Sequence, residues 1–175
     1  TTISYKINNK VSYALEGSIF MAGGLMNWLQ SSLNLFKNIS ETSEIASSVN
    51  PSSNVIIVPA FSGLGAPYWS SESKAAIYGL TQNTGSNELI HASLQAVSLQ
   101  TFDLLEAFRS DFECNNISLS NSLSIDGGMI ENDWFVNNLA NITNFDIYKA
   151  YTKESTALGA SLVSAIGIGY YKGLD

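Results

Sequence analysis

Apolar and polar positions alternate from Thr2 to Ile7 and again from Val11 to Leu15, with Asn8-Asn9 between them, which predicts a β-hairpin closed by an Asn turn. After Gly17 the period lengthens. Ile19, Ala22, Met26, Leu29, Leu33 and Phe36 recur at three- and four-residue steps, so a helix is expected to open at Ser18 as its N-cap. The stretch 38–54 is rich in Ser, Thr, Asn and Glu and reads as a surface excursion with a short helix over Glu44–Val49. Val55-Ile56-Ile57-Val58 is a continuous β-branched run, the pattern of a strand covered on both faces. A loop over Pro59–Ser70 follows, broken by Gly and Pro, and Ala75–Leu80 predicts another short strand. The strongest helical pattern runs over Asn87–Phe108, with Ile90, Leu94, Val97, Leu104 and Phe108 on one face. Asn87 or Ser86 is its expected cap, and Glu88 suits the dipole. Ile117–Leu119 and Leu123–Ile125 bracket a strand that Asp126-Gly127-Gly128 ends, and helices over Asn132–Ile142 and Ser155–Ile168 enclose a last strand, Asp146–Tyr148. Strands alternating with helices, without internal repeats, indicate an α/β domain.

A length of 175 residues fits one domain, 1–175, and 45% hydrophobic against 13% charged residues makes a packed chain, not a disordered one. No apolar run is long enough to span a bilayer, and Thr1 opens no basic-then-apolar leader. The missing initiator Met predicts an excerpted or processed chain. A net charge of -7 with scattered Lys and Arg argues against nucleic acid. A small anion such as a nucleotide stays open, provided that backbone N–H groups and a metal carry the neutralisation. The single cysteine, Cys114, has no partner for a disulfide and leaves zinc without thiolates, which fits a reducing cytoplasm.

Three segments are candidates for chemistry. Asp126-Gly127-Gly128-Met129-Ile130-Glu131-Asn132 joins a strand end to a helix, where glycines admit a ligand and the helix offers unpaired N–H groups to a phosphate. An ordinary tight turn explains it equally well; it is neither a Walker A loop nor a three-glycine dinucleotide fingerprint. Gly23-Gly24, inside the expected first helix, costs up to about 1 kcal/mol per glycine and calls for close packing or ligand approach. The loop Pro59–Trp69, ending Gly65-Ala66-Pro67-Tyr68-Trp69, is a lid, an interface or a structural fold-over. His91, the lone histidine, reads as a helix-surface residue without a nucleophile beside it, and Asp126 as a turn cap or a metal ligand. The small face of the last helix, Thr156-Ala157-Leu158-Gly159-Ala160-Ser161, suits packing on a sheet.

Several of these segments together resemble one family. Tyr13-Ala14-Leu15-Glu16-Gly17-Ser18-Ile19-Phe20-Met21-Ala22-Gly23, the stretch Pro59–Trp69 and Ala75–Thr81 look like glycerol kinases of the FGGY carbohydrate kinases. The spacing from Ala75 to Gln95 fits that family's second signature. Asp126-Gly127-Gly128, Thr156–Ala160 and Gly169–Asp175 extend the likeness collinearly over nearly the whole chain. The resemblance implies an actin-like, ribonuclease-H-like α/β fold, a mixed sheet flanked by helices, in the C-terminal nucleotide-binding domain of a cytoplasmic, ATP-dependent polyol kinase. It implies ATP or ADP with Mg2+ as cofactors, glycerol as substrate, a homo-oligomer, and no nucleic-acid or membrane partner. Carried over by position, the nucleotide contacts fall on Gly23, Asn27, Gly128 and Asn132, with Asn27 where many members have glutamine.

The same resemblance places the catalytic aspartate, the polyol-binding residues and a Thr-Gly phosphate turn upstream of Thr1. No catalytic residue and no metal ligand is therefore assigned within these residues. The domain is expected to be truncated at both ends, with its first strand or strands missing, an exposed sheet edge prone to pairing, and no activity alone. A kinase for xylulose or gluconate, and a non-catalytic nucleotide-binding or assembly module, remain alternatives.

Overall fold

A computed structural model describes residues 2–7, 9–152 and 154–173. The hairpin is present as β1 (Thr2–Ile7) and β2 (Lys10–Ala14), antiparallel, with Thr2 opposite Ala14 and a register shift between Ile3 and Tyr5. Of its expected turn, Asn8 lies outside the described residues, and Asn9 takes a positive φ of 63°. Then follow α1 (Gly23–Ser31), α2 (Glu41–Ser48), β3 (Ile56–Val58), β4 (Ala76–Tyr78) and α3 (Ser86–Cys114). The chain continues through β5 (Ser122–Ile125), a 3-10 turn over Gly128–Glu131, α4 (Asp133–Thr143), β6 (Asp146–Lys149) and α5 (Ser155–Gly167). Among the described residues the strands form three pairs: β1 with β2 and β3 with β4 antiparallel, β5 with β6 parallel.

The core gathers on the two sides of α3. Ile90, Leu94 and Val97 meet Met26 and Leu29 of α1, Ala46 of α2, and Phe135 and Leu139 of α4. On another face, Ala92 and Ala96 meet Leu25, Val55 and Ile57, and their small side chains let β3 lie close to the helix. This double burial is why α3 reads so clearly. Its cap is neither Ser86 nor Asn87 but Gly85, whose N–H donates to the Glu88 carboxylate at 2.8 Å. That bond, and one to Glu88's own backbone N–H, hold the Glu88 carboxyl below its ordinary range.

Several expectations are corrected. α1 starts at Gly23 and not Ser18, and it ends at Ser31, so Leu33 and Phe36 lie beyond it. The segment before it is tied elsewhere: the Ser18 carbonyl accepts the Ala66 N–H at 2.9 Å, which holds 17–20 against the aromatic loop. A Cβ on Gly65 would overlap that same Ser18 carbonyl oxygen, so glycine is what allows the two backbones to meet. The stretch 38–54 is largely exposed, as expected, but it is anchored at Thr42, Ala46 and Val49. α2 begins at Glu41, earlier than expected, and buries Thr42 and Ala46 against α3 and α4. β3 is covered on one face only, because Ile57 is buried while Ile56 is half exposed. Residues 117–119 form no strand, and β5 starts at Ser122. Finally α5 buries none of its residues among those described, so its small face meets no sheet here.

Candidate nucleotide site

The two double-glycine segments, more than a hundred positions apart in the chain, approach one cavity of about 780 Å³. Gly23 and Asn27 stand on its α1 side, and Gly128 and Asn132 on the side where β5 turns into α4. Gly23-Gly24 is the first turn of α1, not its interior, which removes most of the helix penalty. Ala22 precedes it as a cap that makes no side-chain hydrogen bond, so the first N–H groups of α1 have no side-chain acceptor. A Cβ built on Gly23 or on Gly128 would meet no atom within 4 Å. Packing therefore does not demand either glycine, and a side chain at either would stand in open space beside the cavity.

At the far wall, Gly127 takes φ +87°, a conformation that favours glycine, and bends the chain out of β5 into the 3-10 turn. Ile130 N–H returns to the Gly127 carbonyl at 3.3 Å and Asn132 N–H to the Met129 carbonyl at 3.1 Å. Asn132 then caps α4. Its Oδ1 accepts the Phe135 N–H at 2.8 Å, and its Nδ2 donates to Thr42 Oγ1 at 2.9 Å. Trp134 N–H donates to Ser43 Oγ at 3.2 Å, and Val136 N–H to the Asn132 carbonyl at 3.1 Å. The N–H groups of Trp134, Phe135 and Val136 are thus all engaged inside the protein. The expectation that this helix offers a row of unpaired donors to a phosphate is overturned, because its Asn cap and α2 consume them.

The start of α2 closes the cavity, and sequence reasoning missed it. Lys37, Asn38, Ile39, Ser40 and Thr42 all line the space. The apolar residues at their boundary are sparse, and local periodicity carries no trace of contacts 90 residues away. His91 is not a plain surface residue either. It is half-buried, its Nδ1 bonds the Ala46 carbonyl at 2.9 Å, and its ring lies 4.6 Å from that of Trp134. It latches α2, α3 and α4 together.

Other candidates stand apart from the cavity. Asp126 is exposed and does not line it. The aromatic loop packs on α1 and α3 as well as on the 17–20 segment: Phe61 lies edge-on against Trp28 of α1 at 4.9 Å, and the Tyr68 hydroxyl donates to Asp103 Oδ2 of α3 at 2.8 Å. That hydrogen bond, with burial and the Asp103 charge adding to it, raises the Tyr68 phenol above its ordinary value. Among the described residues no group of three or more His, Cys, Asp and Glu side chains is arranged to hold a metal ion, and no helix is long and apolar enough to cross a membrane.

Residues 3–168 match the C-terminal domain of the FGGY family of carbohydrate kinases. The chain belongs to that family. Glycerol kinase from Nitrobacter hamburgensis is 43% identical over 171 residues, which is 98% of this chain and 34% of that protein. Glycerol kinase 1 of Pseudomonas aeruginosa is 41% identical over 175 residues, again 34% of its length. Plasmodium falciparum glycerol kinase, solved with ADP, superposes with a TM-score of 0.84 at 38% identity over 99% of this chain and 34% of its own. A ligand-bound xylulose kinase from Lactobacillus acidophilus shares the fold at 22% identity, with a TM-score of 0.73 over 90% of the chain and 31% of its own. The chain therefore spans about a third of the length of the FGGY kinases that it matches. Its fold is the actin-like, ribonuclease-H-like α/β fold of those kinases.

Proposed function

We propose that this chain is the nucleotide-holding domain of an ATP-dependent glycerol kinase, which turns glycerol and ATP into glycerol 3-phosphate and ADP. The observation that carries the reading is the meeting of Gly23, Asn27, Gly128 and Asn132 around one cavity of about 780 Å³. That volume suits a ligand the size of a nucleotide. The open space at the Cα atoms of Gly23 and Gly128 is the room that a planar base and a phosphate chain need at close range. Likeness to glycerol kinases at 38–43% identity, against 22% for the xylulose and gluconate kinases of Lactobacillus acidophilus, favours glycerol as the substrate.

In this reading Gly23 lets the adenosine approach α1, Asn27 offers its exposed amide, and the backbone at Gly128 faces the α-phosphate end. Asn132 contributes the one side-chain amide hydrogen that the Thr42 bond leaves over. Mg2+ would arrive on the nucleotide's phosphates, and we assign it no ligand on this chain. Glycerol, and the aspartate that deprotonates it for in-line attack, belong to parts of the kinase beyond these residues. Domain closure then keeps water from the γ-phosphate, and positioning supplies most of the rate. The intact enzyme is proposed to be a cytoplasmic homo-oligomer.

The test is a calorimetric titration of the protein with Mg-ADP beside its Gly128→Val variant. Saturable binding that weakens by about tenfold or more in the variant supports the reading, since a branched side chain fills the ligand's space. Equal affinity in both would refute the placement of the site. Turnover of the full-length kinase with glycerol, compared with xylulose and gluconate, decides the substrate.

A further inference from the structure

Thr42 has no role in the sequence reading, yet it is one of the least exposed residues, at 0%. Its hydroxyl is a relay between two elements. The hydrogen goes to the Ile39 carbonyl at 2.6 Å, and a lone pair accepts Asn132 Nδ2 at 2.9 Å. Asn132 is itself 8% exposed and spends its Oδ1 on the Phe135 N–H. An amide held at both ends in this way cannot rotate, and only one of its hydrogens remains for a ligand. One residue on, Ser43 Oγ takes the Trp134 N–H. The start of α2 thus holds the start of α4 at two adjacent points, and both Thr42 and Asn132 line the cavity.

We propose that Thr42 is a positioning residue for the nucleotide: it fixes the Asn132 amide, and so the direction of its free N–H, without touching the ligand's reacting atoms. The inference rests on the nucleotide reading of the cavity. Burial makes the orientation matter. In water a displaced amide finds a new partner at once; here, with Thr42 fully buried, an Asn132 amide without its acceptor must turn away or draw in water.

The experiment measures Mg-ADP affinity of the folded protein, well below its melting temperature, for wild type, Thr42→Val, Thr42→Ser and Thr143→Val. Thr143 is a control. It is also buried, at 3% exposure, and bonds the Leu139 carbonyl, but at the other end of α4. Thr42→Val is expected to weaken binding about tenfold, the loss of one buried hydrogen bond, while Thr42→Ser keeps it within about twofold. Thr143→Val should lower the melting temperature and leave affinity unchanged. If Thr42→Val and Thr143→Val behave alike, with lower melting points and wild-type affinity, Thr42 is only structural and the inference is overturned. If wild type binds no Mg-ADP, the nucleotide reading fails and takes the inference with it, a result distinct from the first. A second measurement does not depend on the variants folding. By NMR, one Asn132 side-chain amide hydrogen of the wild type should stay protected from solvent exchange with and without Mg-ADP. Rapid exchange of both hydrogens in the bound state would also overturn the proposal.

Discussion

Replacing Asn132 by alanine tests the physical account of the site through stability alone. The substitution removes the acceptor of the Phe135 N–H, a 2.8 Å bond beneath a residue that is 6% exposed. Loss of an Asn cap costs about 0.5–2 kcal/mol, and the upper end applies where water cannot replace the acceptor. It also removes the donor to Thr42, whose hydroxyl still keeps the Ile39 carbonyl for its own hydrogen. That second loss is worth the ordinary net value of a hydrogen bond, about 0.5–1.5 kcal/mol. Together they give a destabilisation of about 2–3 kcal/mol, or a fall in Tm of about 5–10 °C for a chain of this size. Asn132→Ser separates the terms. A serine keeps the cap and loses only the bridge, so it should recover more than half of the loss. Urea denaturation of the three proteins, read by far-ultraviolet circular dichroism, measures the differences at constant m. An Asn132→Ala variant within about 0.5 kcal/mol of wild type would refute the double engagement of the amide. So would a serine variant no more stable than the alanine one.

Two other outcomes follow from contacts that do not line the cavity. His91→Ala should destabilise by about 2 kcal/mol, through the lost bond to the Ala46 carbonyl and the lost ring contact with Trp134, and Trp134 emission should shift as α2 loosens; unchanged stability would show that the latch carries no load. The Tyr68–Asp103 bond makes a pH prediction. Because the folded phenol titrates above its unfolded value of 10.0, its contribution is fully present below that pH and disappears as pH rises through the folded value. The stability difference between wild type and Tyr68→Phe should therefore hold steady up to about pH 9 and shrink as pH rises above 10.0, as urea midpoints at each pH will show. A difference independent of pH would mean that the hydroxyl is not bonded to Asp103.

Much of the chain was legible without coordinates because its strongest signals are local. The alternation in 2–15 sets the hairpin, and the apolar stripe of 90–97 sets α3, since each follows from the period of the backbone itself. The turn at Gly127-Gly128 was readable for the same reason: a positive φ of 87° selects its own residue type. Family likeness then singled out Gly23, Asn27, Gly128 and Asn132, residues that the fold places around one cavity. What only the tertiary structure decided is where locally neutral segments go. The polar run at 38–43 looks solvated in sequence, yet α2 starts there and walls the cavity, because Thr42 and Ser43 satisfy donors of Asn132, the cap of α4, and of Trp134 in its first turn, some 90 positions away. The first helix shows the converse. Its stripe promises a start at Ser18, but Ser18 gives its carbonyl to Ala66, and α1 begins only at Gly23. Hydrophobic period is written into neighbouring residues, whereas a hydrogen-bond partner is chosen by whatever the fold brings within about 3 Å.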